Sequence, residues 1–207
     1  MSALIAGMTN GAAFPQSSVP ASWARIDTWL RRHAPTDFAL LRPPADPEAV
    51  EAAQSEMGVR FPPDLLASLA CHDGKEEGIQ GWSPVLPKPP LPVAGIAAHW
   101  RMCVDEYDPA EEEDLLEDGE EPWWHPSWIP WAALGGDSQV IDMRPGPDQG
   151  RLGSAVHDDR GGFERAWPSL GAYLEEVADA LENGGLVDGM LSPRVDSEGR
   201  LRWERAL

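Results

Sequence analysis

The sequence predicts an α+β fold, a mainly antiparallel sheet of about four to six strands packed against helices. Three observations carry this. Apolar residues recur at helical spacing from Trp23 to Tyr107 and again from Leu170 to Leu181. Between those stretches, from Trp128 to Trp167, short apolar and aromatic runs are punctuated by Gly, Asp and Pro. With 207 residues, 42% of them hydrophobic, the chain can bury one core without covalent staples.

The elements follow in order. Residues 1–21 are small, polar and contain Gly and Pro, the composition of a mobile leader; residues 22–207 are expected to form one domain. Ser22 is placed to cap a helix whose stripe is Trp23, Ile26, Trp29 and Leu30, and Pro35 ends it. Asp46-Pro47 pairs a cap with proline at the first helical position, and Val50, Ala53, Gln54 and Met57 share a face. Gly58 suits the left-handed residue after that helix. Phe61-Pro62-Pro63 launches a third helix with Leu65, Leu66 and Leu69 inward, and Gly74 stops it. Pro84 to Pro92 holds five prolines and reads as a loop or a sheet edge. Ile96, Trp100, Cys103 and Tyr107 return to helical spacing.

That helix runs into residues 105–121, which carry 11 acids and no base and read as a solvated acidic insertion. Strands are expected at 128–131, 140–143, 151–157 and 164–167, with turns at Gly135-Gly136-Asp137 and Pro145-Gly146. Ser169 caps a last helix that buries Leu170, Tyr173, Leu174, Val177, Ala178 and Leu181 and turns Glu175, Glu176, Asp179 and Glu182 to water. Residues 193–204 read as a hairpin with Val195, Leu201 and Trp203 on one side.

Composition excludes several function classes. Asp plus Glu number 35 against 16 Lys plus Arg, a formal charge of −19. That surface opposes nucleic-acid binding and docking on an anionic membrane; it permits a basic protein partner, and its plainer role is to keep the chain soluble and monomeric. The first 22 residues make a poor signal peptide and no apolar run spans a membrane, so the expected location is cytoplasmic, as a monomer or weak dimer. Cys71 and Cys103 form no C-x-x-C pair and sit on apolar helix faces, so they read as core.

No phosphate loop, dinucleotide fingerprint, zinc-protease helix or nucleophile elbow is present. His72-Asp73-Gly74 reads as a helix end. His157-Asp158-Asp159, with Asp137 and Asp142, is the one metal-like cluster, and its plainer reading is a polar turn after a strand. No catalytic residue, cofactor or metal is therefore assigned. An enzyme using His157, Asp158 and Asp142 is the remote alternative. The partner-binding candidates are Glu111, Glu112, Glu113, Asp114, Glu117, Asp118, Glu120 and Glu121, with Trp123 and Trp124 beside them, which read as aromatic anchors or equally as plugs of the core where the sheet begins.

Taken together, an ordered set of motifs resembles the SMI/KNR family of the SUKH superfamily. It runs through Trp23 and Trp29, Gly58 and Pro62, Asp73-Gly74, Trp128 and Pro130, Gly136, Asp142, Gly150 and Gly153, to Ser169. The resemblance covers roughly residues 22–185; the Pro-rich stretch 79–92 and the acidic run depart from it. It implies an α+β fold and a non-enzymatic, protein-binding role. Bacterial relatives are regarded as immunity proteins that neutralise a cognate toxin, often a nuclease, and a fungal relative as a scaffold in cell-wall assembly. The acidic charge favours the first of these, a basic toxin domain, as the partner; the regulatory scaffold is the alternative.

Overall fold

The computed structural model describes residues 18–76, 85–110, 116, 120–156 and 159–206. Helix α1 (Val19–His33) begins before the expected cap. Pro20 occupies the first turn, where a missing N–H is harmless, and burial of Val19 draws the start forward. Ser22 is therefore inside the helix, buried, with its N–H bonded to Ser18 O at 3.0 Å. Trp23, Ile26 and Leu30 are fully covered, while Trp29 lies at the margin, 4.8 Å from the His33 ring.

A short turn, α2 (Pro35–Phe38), leads to α3 (Pro47–Met57). Asp46 caps α3 by accepting from Glu48 N at 3.0 Å, and Gly58 closes it at φ +65. Pro62 precedes α4 (Pro63–Cys71). Leu65 and Leu69 face inward, but Leu66 does not. One residue further round the helix turns it by about 100°, and it is exposed. The helix stops at Cys71, ahead of Gly74. Asp73 instead accepts from Val93 N at 2.7 Å and so caps α5 (Val93–Glu106) across the chain.

His72 joins α1, α4 and the 40–45 turn. Its Nε2 lies 3.1 Å from Asp27 Oδ1 and its Nδ1 lies 3.0 Å from Arg42 O. Both partners are acceptors only, so the arrangement is complete when both ring nitrogens carry hydrogen. Burial of the ring opposes its charge, but the bonds to Asp27 and the Arg42 carbonyl more than offset this and raise its pKa above 6.5. Arg31 on the same helix pushes the other way, and the Trp23 ring packs 5.0 Å away. A raised folded pKa contributes stability that is fully present below 6.5 and is lost as pH rises through the folded value. Urea midpoints are therefore expected to fall on the alkaline side of 6.5 in the wild type and to stay level there in His72→Gln. Equal pH profiles for the two would refute this.

The sheet is antiparallel in the order β1 (Trp128–Leu134), β2 (Asp137–Asp142), β3 (Leu152–Ala155), β4 (Gly162–Trp167). Gly135 and Gly136, both at positive φ, make the tight β1–β2 turn. The proline-rich stretch lies along the outer edge of β1, with Leu91 N bonded to Trp131 O at 2.9 Å and Ala133 N to Pro89 O at 3.1 Å. At the other edge β4 pairs with β3 only at Leu152–Trp167 and Ser154–Gly162, and bulges between them.

The two sheet faces carry different helices. On one, α6 (Leu170–Asn183) sets Tyr173 edge-on to Trp131 at 5.6 Å, and Trp131 Nε1 donates to Gln139 Oε1 at 3.0 Å. On the other, α5 places His99 at 2.7 Å from Ser138 Oγ and packs Cys103 against Val140, Trp124 and Trp128. Ser169 caps α6 by accepting from Ala172 N at 3.3 Å, and Asp64 of α4 accepts from Gly171 N at 2.9 Å. The terminal hairpin, β5 (Leu191–Val195) with β6 (Leu201–Arg205), is longer than expected. Buried Leu201 donates its N–H to the buried Asp37 carboxylate at 2.6 Å. Val195 pairs directly with Leu201, so Val195, Leu201 and Trp203 share one side as expected, although Val195 itself is exposed near the hairpin tip.

Candidate functional site

Two features adjoin Glu120 and Glu121, the last acids of the run. The first is a knot of four charges. Arg144 grips Glu121 with both terminal nitrogens, at 2.7 and 3.0 Å, and donates to Asp142 at 2.7 and 2.9 Å. Arg151 reaches the same two carboxylates at 3.2 Å. The guanidinium groups are roofed by aromatic rings, Arg144 over Trp128 at 5.4 Å and Arg151 over Phe163 at 4.2 Å. Burial alone would raise the Asp142 pKa, but hydrogen bonds from Arg144 and Arg151 bring it below 3.8. Asp142 is thus held between two cations and is not disposed as a base.

The expected partner-surface residues fall in different places. Glu121 is bonded by two arginines. Glu120 pairs with Arg160 at 3.1 Å. Trp124 is fully buried, edge-on to Trp128 at 6.0 Å, because the outer sheet face needs a large ring to fill the space beneath α5. Trp123 is half-buried against Tyr107 at 6.1 Å. The other candidates, Glu111, Glu112, Glu113, Asp114, Glu117 and Asp118, lie outside the described residues.

The second feature is a groove of about 710 Å³ on the α6 side of the sheet, beyond the end that α6 covers. Its floor is β2 and β3, with Asp137, Gln139 and Ser154; its walls are Lys88, β4 and the turn holding Val187 and Asp188. Tyr173 and Trp167 close the inner end, their rings 4.9 Å apart. Glu176, expected to face water, is half-buried there; it accepts from Trp167 Nε1 and from Asp188 N at 2.7 Å. Glu120 and Glu121, the last two acids of the run, line the groove.

Among the described residues no group of three or more His, Cys, Asp or Glu is placed to hold a metal ion, and no helix is long and apolar enough to cross a membrane. His157 and Asp158 lie outside the described residues; Asp159 accepts from Arg160 N at 2.8 Å. Burial pushes the Cys103 thiol up to about 12, which makes it a poor nucleophile. The sequence reading missed Arg144 and Arg151. The spacing of Asp142 and Arg144 was a usable signal, because an aspartate at a turn accepts from the backbone N–H two residues on, as Asp142 does from Arg144.

The pattern of the SMI1 / KNR4 family (SUKH-1) matches residues 44–176. The chain is 26% identical over 197 residues to the cell wall biosynthesis/cell cycle regulator smi1 of Schizosaccharomyces pombe, covering 84% of this chain and 38% of that protein. It is 24% identical over 210 residues to the glucan synthesis regulatory protein of Neurospora crassa, covering 80% of this chain and 39% of that one. A shorter match, 36% over 64 residues, is to a KNR4/SMI1 homolog of Eremothecium gossypii. The chain thus spans less than two fifths of the length of the first two relatives.

Proposed function

Because this chain belongs to the SMI1/KNR4 (SUKH-1) family, we propose that it is a non-catalytic regulatory module that works by binding another protein over the groove. The observation that carries this reading is the match along 84% of the chain to a protein named as a regulator of cell wall biosynthesis and the cell cycle. A second relative is named for regulating glucan synthesis. The described features agree in kind: the acids of the knot are paired with arginines and the Cys103 thiol is quenched by burial, while an open groove with an aromatic end remains. The process regulated is accordingly envelope or wall assembly, and the partner a component of it.

Toxin neutralisation, the first expectation from the sequence, becomes the second reading. None of the three relatives named above carries a toxin-immunity description. One observation still favours it, the charge of −19, which would steer the chain to a cationic nuclease cleft.

Cross-linking in the native host followed by affinity isolation separates the two. Regulation predicts recurring host proteins of envelope assembly. Neutralisation predicts one basic toxin domain, an association rate that falls as salt rises, and rescue of a toxin-expressing cell. Recovery of nothing beyond an empty-tag control would sink both readings.

A further inference from the structure

The floor of the groove holds a polar side chain that the fold leaves half used. Gln139 is 7% exposed, and its Oε1 accepts from Trp131 Nε1 at 3.0 Å. An indole nitrogen can only donate, so the bonded atom is the amide oxygen and the NH₂ group is the end that remains. Nε2 donates to no described residue, and it is not sealed from solvent: Gln139 lines the groove and its amide opens there. The partner of this donor, water or ligand, therefore comes from the groove.

An acceptor stands beside it. Ser154 of β3 is directly opposite Gln139 of β2, so the two side chains rise from one face with their Cβ atoms about 5 Å apart. Ser154 Oγ donates to Gly162 O at 3.4 Å, which leaves its own lone pairs open to a further donor. Gly162, opposite Ser154 on β4, keeps this spot uncovered; a Cβ there would come within 3.1 Å of Ser154 Oγ. The next row of the floor carries both signs of charge. Asp137 lies two residues before Gln139 and shares its face, and Lys88 lies within electrostatic reach of Asp137. A charge of either sign entering here meets its like.

We propose that the Gln139–Ser154 pair receives a primary carboxamide, the side chain of an asparagine or glutamine on an extended segment of the partner. Its oxygen accepts from Gln139 Nε2 and its NH₂ donates to Ser154 Oγ, so one planar group answers a donor and an acceptor set side by side. A carboxylate brings no donor for Ser154 and is repelled by Asp137. An ammonium or guanidinium brings no acceptor for Gln139 and is repelled by Lys88. The inference rests on the reading of the groove as the partner-docking surface.

The probes are three capped tripeptides, acetyl-Ala-X-Ala-N-methylamide, with X as glutamine, glutamate or methionine, the last an apolar shape match. Each is titrated into the full chain labelled with ¹⁵N. The glutamine peptide is expected to shift the Gln139 side-chain NH₂ pair and the backbone amides of Ser154 and Gly162. The methionine peptide is expected to bind about tenfold more weakly, the loss of two neutral hydrogen bonds, and the glutamate peptide at least about threefold more weakly. Gln139→Glu keeps an acceptor for Trp131 Nε1 but removes the donor, and is expected to weaken the glutamine peptide about tenfold. Ser154→Ala, at a half-buried position, is expected to cost about threefold and provides the test if Gln139→Glu does not fold. A Gln139 side-chain amide unmoved up to the solubility limit of the glutamine peptide, equal or tighter binding of either other peptide, or indifference to both replacements would overturn the site. If that happens while the chain still retains its host partners, the carboxamide site alone fails and partner docking stands.

Discussion

Asp142→Ala is expected to destabilise the fold by about 3–5 kcal/mol, the cost of stranding a buried charge. The Asp142 side chain is 4% exposed and serves two guanidinium groups that are themselves mostly covered. Removing it leaves Arg144 and Arg151 sharing only Glu121, beneath the rings of Trp128 and Phe163. It also removes the acceptor for Arg144 N, 3.0 Å away, which shapes the turn after β2. The same carboxylate makes a pH prediction. Its folded pKa is depressed, so its stabilisation is fully present above 3.8 and is lost as pH falls through the lower folded value. Urea denaturation at neutral pH measures the first effect, and an acid titration of the wild type measures the second. A loss under about 1 kcal/mol would place this pair among surface ion pairs of little consequence.

Gly74→Ala is expected to cost about 3 kcal/mol or more, and Gly58→Ala only about 1 kcal/mol. Both glycines have nearly the same left-handed backbone, φ +66 and φ +65. Their surroundings differ. A Cβ on Gly58 meets nothing within 4 Å, whereas one on Gly74 falls 2.3 Å from Pro92 N and 2.4 Å from Leu91 C. Those atoms are backbone, so no rotamer relieves the contact. The strain passes to Asp73, which caps α5 through Val93 N, and to the Pro89–Leu91 stretch along β1. Paired thermal melts of the two variants separate backbone strain from close approach; equal losses would show that conformation alone decides.

Much of the frame was legible because it is local. Asp46 and Ser169 cap the helices that follow them, Gly58 ends α3, and Gly135-Gly136 turns β1 into β2, each a property of a few adjacent residues. What escaped depends on residues distant in the chain. Asp73 was read as part of a helix end, yet its carboxylate caps a helix 20 residues on. Trp124 beside a run of acids has the composition of an exposed anchor, and only the packing of α5 on the outer sheet face buries it. Glu121 looked free because Arg144, 23 residues later, cannot be paired with it from spacing alone. The groove was invisible for a further reason: it is where α6 does not reach, and periodicity reports what a helix covers, not where it stops.

The two edges of the sheet have a consequence for how the chain behaves in a crowded solution. A bare strand edge invites another chain to add itself, and then another. Here β1 is lined by Pro89 and Pro90, which cannot donate onward from their nitrogens. At the far side, β4 arches off its neighbour and presents Glu164 and Arg165 to water. One border is closed by proline and the other by a kink bearing charge. Templated fibre growth therefore finds no flat border on this four-stranded sheet, and a visiting protein meets it through side chains rather than by adding a strand to it.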